Sequence, residues 1–221
     1  MSDTFTAEQR AKLEDYLANH ILPSGLGSEE SACSIAAINL AINGELKDNI
    51  PPCMSSVLGR ATIRLQDAMP DEMRNSDRYK TLLPNMAGTG RDNEPERLGF
   101  LMDWMWSTVL PQLQPLADEK GFGAEWSDMC RLKTDEAANA AAAAAADAKA
   151  SASDYAYADA ANAANAAANA ADAADAYVAV YASAVYAVYA STSANADTFW
   201  NTVDPIGVLE RMTYLKTGKQ P

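Results

Sequence analysis

Hydrophobic residues in the first 131 positions recur at three- and four-residue spacings, and Pro and Gly interrupt them at intervals. This is the pattern of several amphipathic helices joined by turns. Thr6 followed by Gln9 has the spacing of a capping box, and Leu13, Tyr16, Leu17 and Ile21 then repeat on one face until Pro23–Gly25 ends the helix. A second helix is expected from Ser28 or Glu29, burying Ile35, Ile38, Leu40 and Ile42, with Gly44 as its stop. Ile50–Cys53 (IPPC) reads as an extended link, because each proline biases the preceding residue away from helix. Ser55 or Ser56 caps a third helix that ends before Pro70, and DEMRNSDRYKTLL forms a fourth. Ala87–Pro95 collects turn formers into a loop, after which Pro95 opens a helix lined by Leu98, Leu101, Met102 and Met105. A short helix around Trp126–Leu132 closes the region. Nothing here alternates as a strand does, so the expected fold class is all-α.

The pattern then changes. From Glu125 to Asp204 there is neither Gly nor Pro, and about half of the residues between Asp135 and Ala196 are alanine, the strongest helix former. A single helix of about 60 residues would run about 90 Å. Ser151–Asp154 offers N-caps for a break that would fold the segment into a hairpin, and Ser191–Asp197 offers a second, before a short helix carrying Phe199 and Trp200. Pro205 and Gly207 lead into a terminal helix. The expected organisation is therefore a helical globular domain over 1–134, an Ala-rich long helix or hairpin over 135–204, and a short C-terminal helix and tail over 205–221.

Within the tract, Asn162, Asn165, Asn169 and Asp172 form one stripe and methyl groups cover the rest. Alanine buries little area, but it lets helix axes approach closely, so that weak dispersion contacts accumulate along a smooth seam. The end of the tract differs. Val178, Tyr181, Val185 and Val188 repeat three and four apart, with Tyr177, Tyr186 and Tyr189 at the edges, giving an adhesive face. Two destinations fit it equally: the inner layer of a helical bundle, or a surface for self-association or for a protein partner. Low-complexity expansion is a further reading of the alanine itself.

Composition narrows the functions. The formal net charge is −13, which opposes direct nucleic-acid binding because phosphates demand a Lys/Arg patch. An acidic surface that imitates nucleic acid is the remaining link to such partners. No apolar run is long enough to span a bilayer, and MSDTFTAEQR lacks the features of a secretory signal, so a cytoplasmic protein is expected. Cys33, Cys53 and Cys130 are odd in number and widely spaced, which suits reduced thiols.

Candidate chemistry is sparse. His20 is the one histidine and sits at an expected helix end. With Cys33, Cys53 and Cys130 it lacks the tight spacing of a zinc site, and Glu29, Glu30 and Glu45 lack the Glu-x-x-His pattern of a di-iron bundle. No catalytic residue, metal or cofactor is assigned. Gly88, Thr89, Gly90 and Arg91 form the one loop with an anion-binding character, and Arg97 is expected nearby; a small anionic or nucleotide ligand is the alternative to a protein partner. Trp104 and Trp106, two apart on a helix, are candidates for a contact role.

The run from Asn43 to Arg74, then LLPNMAGTG and LMDW, resembles a group of uncharacterised bacteriophage and bacterial proteins with an Ala/Asp/Tyr-rich C-terminal half. The residues that carry the resemblance are Gly44, Glu45, Pro51, Cys53, Asp67, Pro70, Asp71, Pro84, Gly88, Thr89, Asp103 and Trp104. Gln66 stands where the pattern has Asn, and Ala36 stands near a position that is often acidic. The resemblance implies a phage or mobile-element setting and no catalytic activity, and together with the helical surfaces it leads to an expected role as a non-enzymatic interaction protein.

Overall fold

The computed structural model describes residues 4–150, Ala164 and residues 196–215, and within them the protein is all-α apart from one two-stranded hairpin. The chain divides into two compact units, Met1–Phe100 with Pro205–Pro221, and Leu101–Asp204.

In the first unit α1 (Ala7–Asn19) begins with a full capping box, Thr6 and Gln9 satisfying each other's backbone N–H. Leu13 and Leu17 are its buried residues. Ile21 lies beyond the helix end and is 65% exposed, contrary to its expected place on the buried face. The second helix also starts later than expected. Residues from Gly27 to Ala32 pair as a hairpin, β1 (Gly27–Ser28) against β2 (Ser31–Ala32), and α2 (Ser34–Asn43) is capped by Cys33. A side chain at Gly27 would collide with the Ser31 carbonyl, and its φ is +77°, so glycine alone fits there. On α2, Ile35 and Ile38 are buried whereas Leu40 and Ile42 are only half-buried. Gly44 ends the helix in the left-handed region, as expected.

α3 (Ser56–Ala68) is capped by Ser55. The expected single fourth helix is two, α4 (Asp71–Arg74) and α5 (Asp77–Ala87). The break follows from local polar competition: the Asn75 amide accepts from Leu22 N at 2.7 Å, and Ser76 caps α5 through Tyr79 N. α6 (Glu94–Trp104) follows the loop, and the last helix, here α11 (Pro205–Tyr214), packs on α3 and α5. Arg78 grips Glu210 with two nitrogens, at 2.9 and 2.6 Å, across that contact.

A buried polar cluster ties the 20–34 segment to these helices. Arg74 is 4% exposed; its Nε donates to Leu22 O at 2.9 Å, its Nη1 to Gln66 O and Met69 O at 2.7 and 2.9 Å, and its Nη2 to Asp71. Gln66 in turn accepts from Ser34 N and donates to Pro23 O, while the Ser34 and Tyr79 hydroxyls share a 2.9 Å bond. Burial raises the Tyr79 phenol well above its ordinary range, so it stays a neutral hydrogen-bonding group.

In the second unit the chain passes from α6 into a π-helical stretch (Met105–Val109), a 3-10 turn (Leu110–Leu113) and α7 (Gln114–Lys120), where the sequence pattern gives one helix from Pro95 to Leu110 and nothing for α7. α8 (Gly123–Leu132) centres on Trp126, whose indole donates to Leu110 O at 2.9 Å and whose ring meets Phe122 edge-on. Lys133 takes a positive φ and Thr134 N-caps α9 (Asp135–Ala150), so this break occurs without Gly or Pro. Ala138, Ala141, Ala142 and Ala145 are 0, 0, 4 and 0% exposed and form the seam of α9, which packs on α8 and α7. α10 (Ala196–Val203) buries Phe199 and Trp200 in an edge-on pair.

Candidate functional site

The loop between α5 and α6 is stitched to the link before α3. The Thr89 hydroxyl donates to Met86 O at 2.8 Å and accepts from Ser55 N at 3.0 Å, and Gly90 N donates to Cys53 O at 2.8 Å. Glu94 completes the arrangement. Its carboxylate accepts from Ser56 N (2.8 Å), Val57 N (3.0 Å) and the Ser55 hydroxyl (3.0 Å), so the chain places its own anion at the N-terminus of α3. Unpaired helical N–H groups and the helix dipole favour a negative charge there, a stabilisation on the order of 1 kcal/mol.

Beside this stitch lies an open cleft of about 570 Å3. Gly88, Thr89, Gly90, Arg91 and Asp92 form one side, and Thr4, Phe5 and Pro52 the other. Of the sequence-based anion-binding candidates, Gly88, Thr89, Gly90 and Arg91 line this cleft and Arg97 does not. Arg97 is instead fully buried, its Nε donating to Met212 O at 2.9 Å, near the end of α11, and its Nη1 to the Asp92 carbonyl. Its Nη2 has no hydrogen-bond partner among the described residues. Burial lowers its pKa, against the opposing pull of the Glu94, Asp92 and Glu96 charges. The backbone of the loop is also committed elsewhere, since Thr89 N donates to Met86 O and Gly90 N to Cys53 O. Any anion in the cleft therefore meets the exposed Arg91 guanidinium rather than a cradle of amides.

The expected adhesive face, Tyr177, Val178, Tyr181, Val185, Tyr186, Val188 and Tyr189, lies outside the described residues, as do the stripe Asn162–Asp172 and the break at Ser151–Asp154. Other candidates have structural settings. His20 ends α1, donating from Nδ1 to Tyr16 O at 2.9 Å and stacking on the Tyr16 ring. Cys33, Cys53 and Cys130 form no disulfide; the first two are buried and Cys130 is half-buried. Burial raises the Cys33 thiol and pushes Cys130 up to about 11, which leaves both weak as nucleophiles. Glu29, Glu30 and Glu45 are exposed, and no group of three potential ligands is placed to hold a metal among the described residues. Trp104 and Trp106 are both half-buried, and the Trp104 indole donates to Val203 O at 2.6 Å.

Sequence reasoning missed Glu94 and Arg74. An acid just before Pro95 signals the start of its own helix, and nothing local says that it caps a helix 38 residues earlier in the chain. Several residues carrying the resemblance meet at these two places: Cys53 and Thr89 in the stitched loops, and Asp71 with Arg74, where Gln66 occupies the position that departs from the pattern. No family model, curated protein or solved structure matches this chain.

Proposed function

We propose that this chain is a non-enzymatic helical interaction protein, of phage or mobile-element origin, that associates with itself or with a host protein through its C-terminal Ala/Tyr/Val segment. The observation that carries the reading is the seam of α9: four alanine methyls, spaced three, four and seven from the first, are withdrawn from solvent against neighbouring helices. The alanine surface of α9 thus gains its stability by lying flat on another helix. The composition continues past Ala150 and then acquires Tyr and Val, residues that bury more area and dominate interface energetics. The net charge of −13 argues against nucleic acid as the partner, and no helix among the described residues is long and apolar enough to cross a membrane.

Light scattering on the full chain across a concentration series tests this. The expected result is a mass above that of one chain, falling to the monomer when Tyr181→Asp and Val185→Asp are combined. A monomer at every concentration, together with no host protein retained by the unmodified chain and released by the double variant, would remove the reading.

A further inference from the structure

We infer that the cleft beside the Gly88–Asp92 loop binds a small phosphate-bearing molecule with a flat ring, of mononucleotide size. The volume, about 570 Å3, lies within the range of small-molecule sites. Its chemistry is divided in the way such a ligand requires. Phe5 and Pro52, both half-buried, supply an apolar wall on which a ring can lie. Across from them Arg91 is exposed, and its guanidinium engages no group among the described residues, which leaves a planar five-donor fork for a phosphate.

A second cation lies behind the loop side of the cleft. Arg97 is bonded to the Asp92 carbonyl, is fully buried, and keeps one nitrogen without an acceptor among the described residues. The nearby Glu94 carboxylate cannot serve it fully, because it already accepts three bonds at the start of α3. Arg97 offsets part of the negative charge that Glu94, Asp92 and Glu96 bring to this side of the cleft, and charges in a low-dielectric wall are weakly screened. The floor is rigid before any ligand arrives, since Thr89 and Gly90 are each tied to the link preceding α3. Orientation then falls to Arg91 and stacking to Phe5.

Isothermal titration of the full chain with AMP, GMP, adenosine and inorganic phosphate decides the matter. The expected result is binding of a nucleotide that exceeds both phosphate alone and adenosine alone, weakens with added salt, and falls at least tenfold in Arg91→Ala and severalfold in Phe5→Ala. Both positions are solvent-facing enough for the variants to fold, which an unchanged melting temperature would establish. No heat with either nucleotide at millimolar concentration would overturn the inference. So would binding that neither substitution weakens, or phosphate alone binding as tightly as the nucleotides.

Discussion

One part of each unit is held in place by opposite means. The first relies on a buried polar cluster in which Arg74, Gln66, Ser34 and Tyr79 bond to particular carbonyls, amides and hydroxyls. The second relies, in α9, on methyl groups that have no direction to satisfy. A directional cluster admits one arrangement, because each buried donor or acceptor left unmet costs about 1–3 kcal/mol. An alanine seam tolerates sliding but not bulk, because its stability depends on how closely two axes approach. The lesson is that the same helical secondary structure can be fixed in place by polar geometry or by the absence of side chains, and the two respond to substitution differently.

Removing the centre of the polar cluster should have the largest effect. Arg74→Ala strands the carbonyls of Leu22, Gln66 and Met69 together, and urea denaturation of the full chain should show a loss of about 3–5 kcal/mol in the first unit. A loss below about 1 kcal/mol would mean that water replaces the guanidinium and that the cluster is not directional. The seam comes next. Ala141→Leu adds three carbons where nothing is exposed, and overpacking of that size costs about 1–3 kcal/mol, read as reduced amide-exchange protection in α8 and α9 with the first unit unchanged.

The smallest effect concerns Cys130, on α8, whose thiol burial pushes up to about 11 from an ordinary 9.0. A folded-state value above the unfolded one favours the fold while the thiol is neutral. That contribution is complete below about pH 9 and is lost as pH rises toward about 11. Cys130→Ser should therefore show a shallower alkaline fall in urea midpoint than the unmodified chain over that window, and Ala141→Leu should speed alkylation of Cys130 if the seam controls its access. Equal rates in both proteins would separate the thiol from the seam.

These contrasts also explain what could be read in the sequence. The capping box at Thr6, the stop at Gly44 and the cap at Ser55 depend on residues within four positions of one another, and all were legible. The start of α2 was not. The helical periodicity of the region extended back toward Ser28, but Gly27 closes a hairpin against Ser31 and cysteine, seldom a cap, accepts the Ala36 amide. The split between α4 and α5 depends on Asn75 meeting Leu22, a partner 53 residues away. The same distance problem governs the cleft. The loop Gly88–Arg91 is visible as a turn, whereas its seam with Cys53 and Ser55, and the withdrawal of Arg97 to the end of α11, depend on tertiary neighbours.

The π-helical stretch sets the phase of a long buried row. Leu101, Met105, Val109, Leu113 and Ala117 are all buried and stand four apart. On a regular α-helix that spacing precesses by roughly 40° per step, which would swing the row about the cylinder and into water. The wider turn at Met105–Val109 winds the row back there, and the tighter 3-10 turn at Leu110–Leu113 then advances it again. Excising a single residue from that bulge would rephase the helix and turn one flank of hydrophobic residues away from its packing partners.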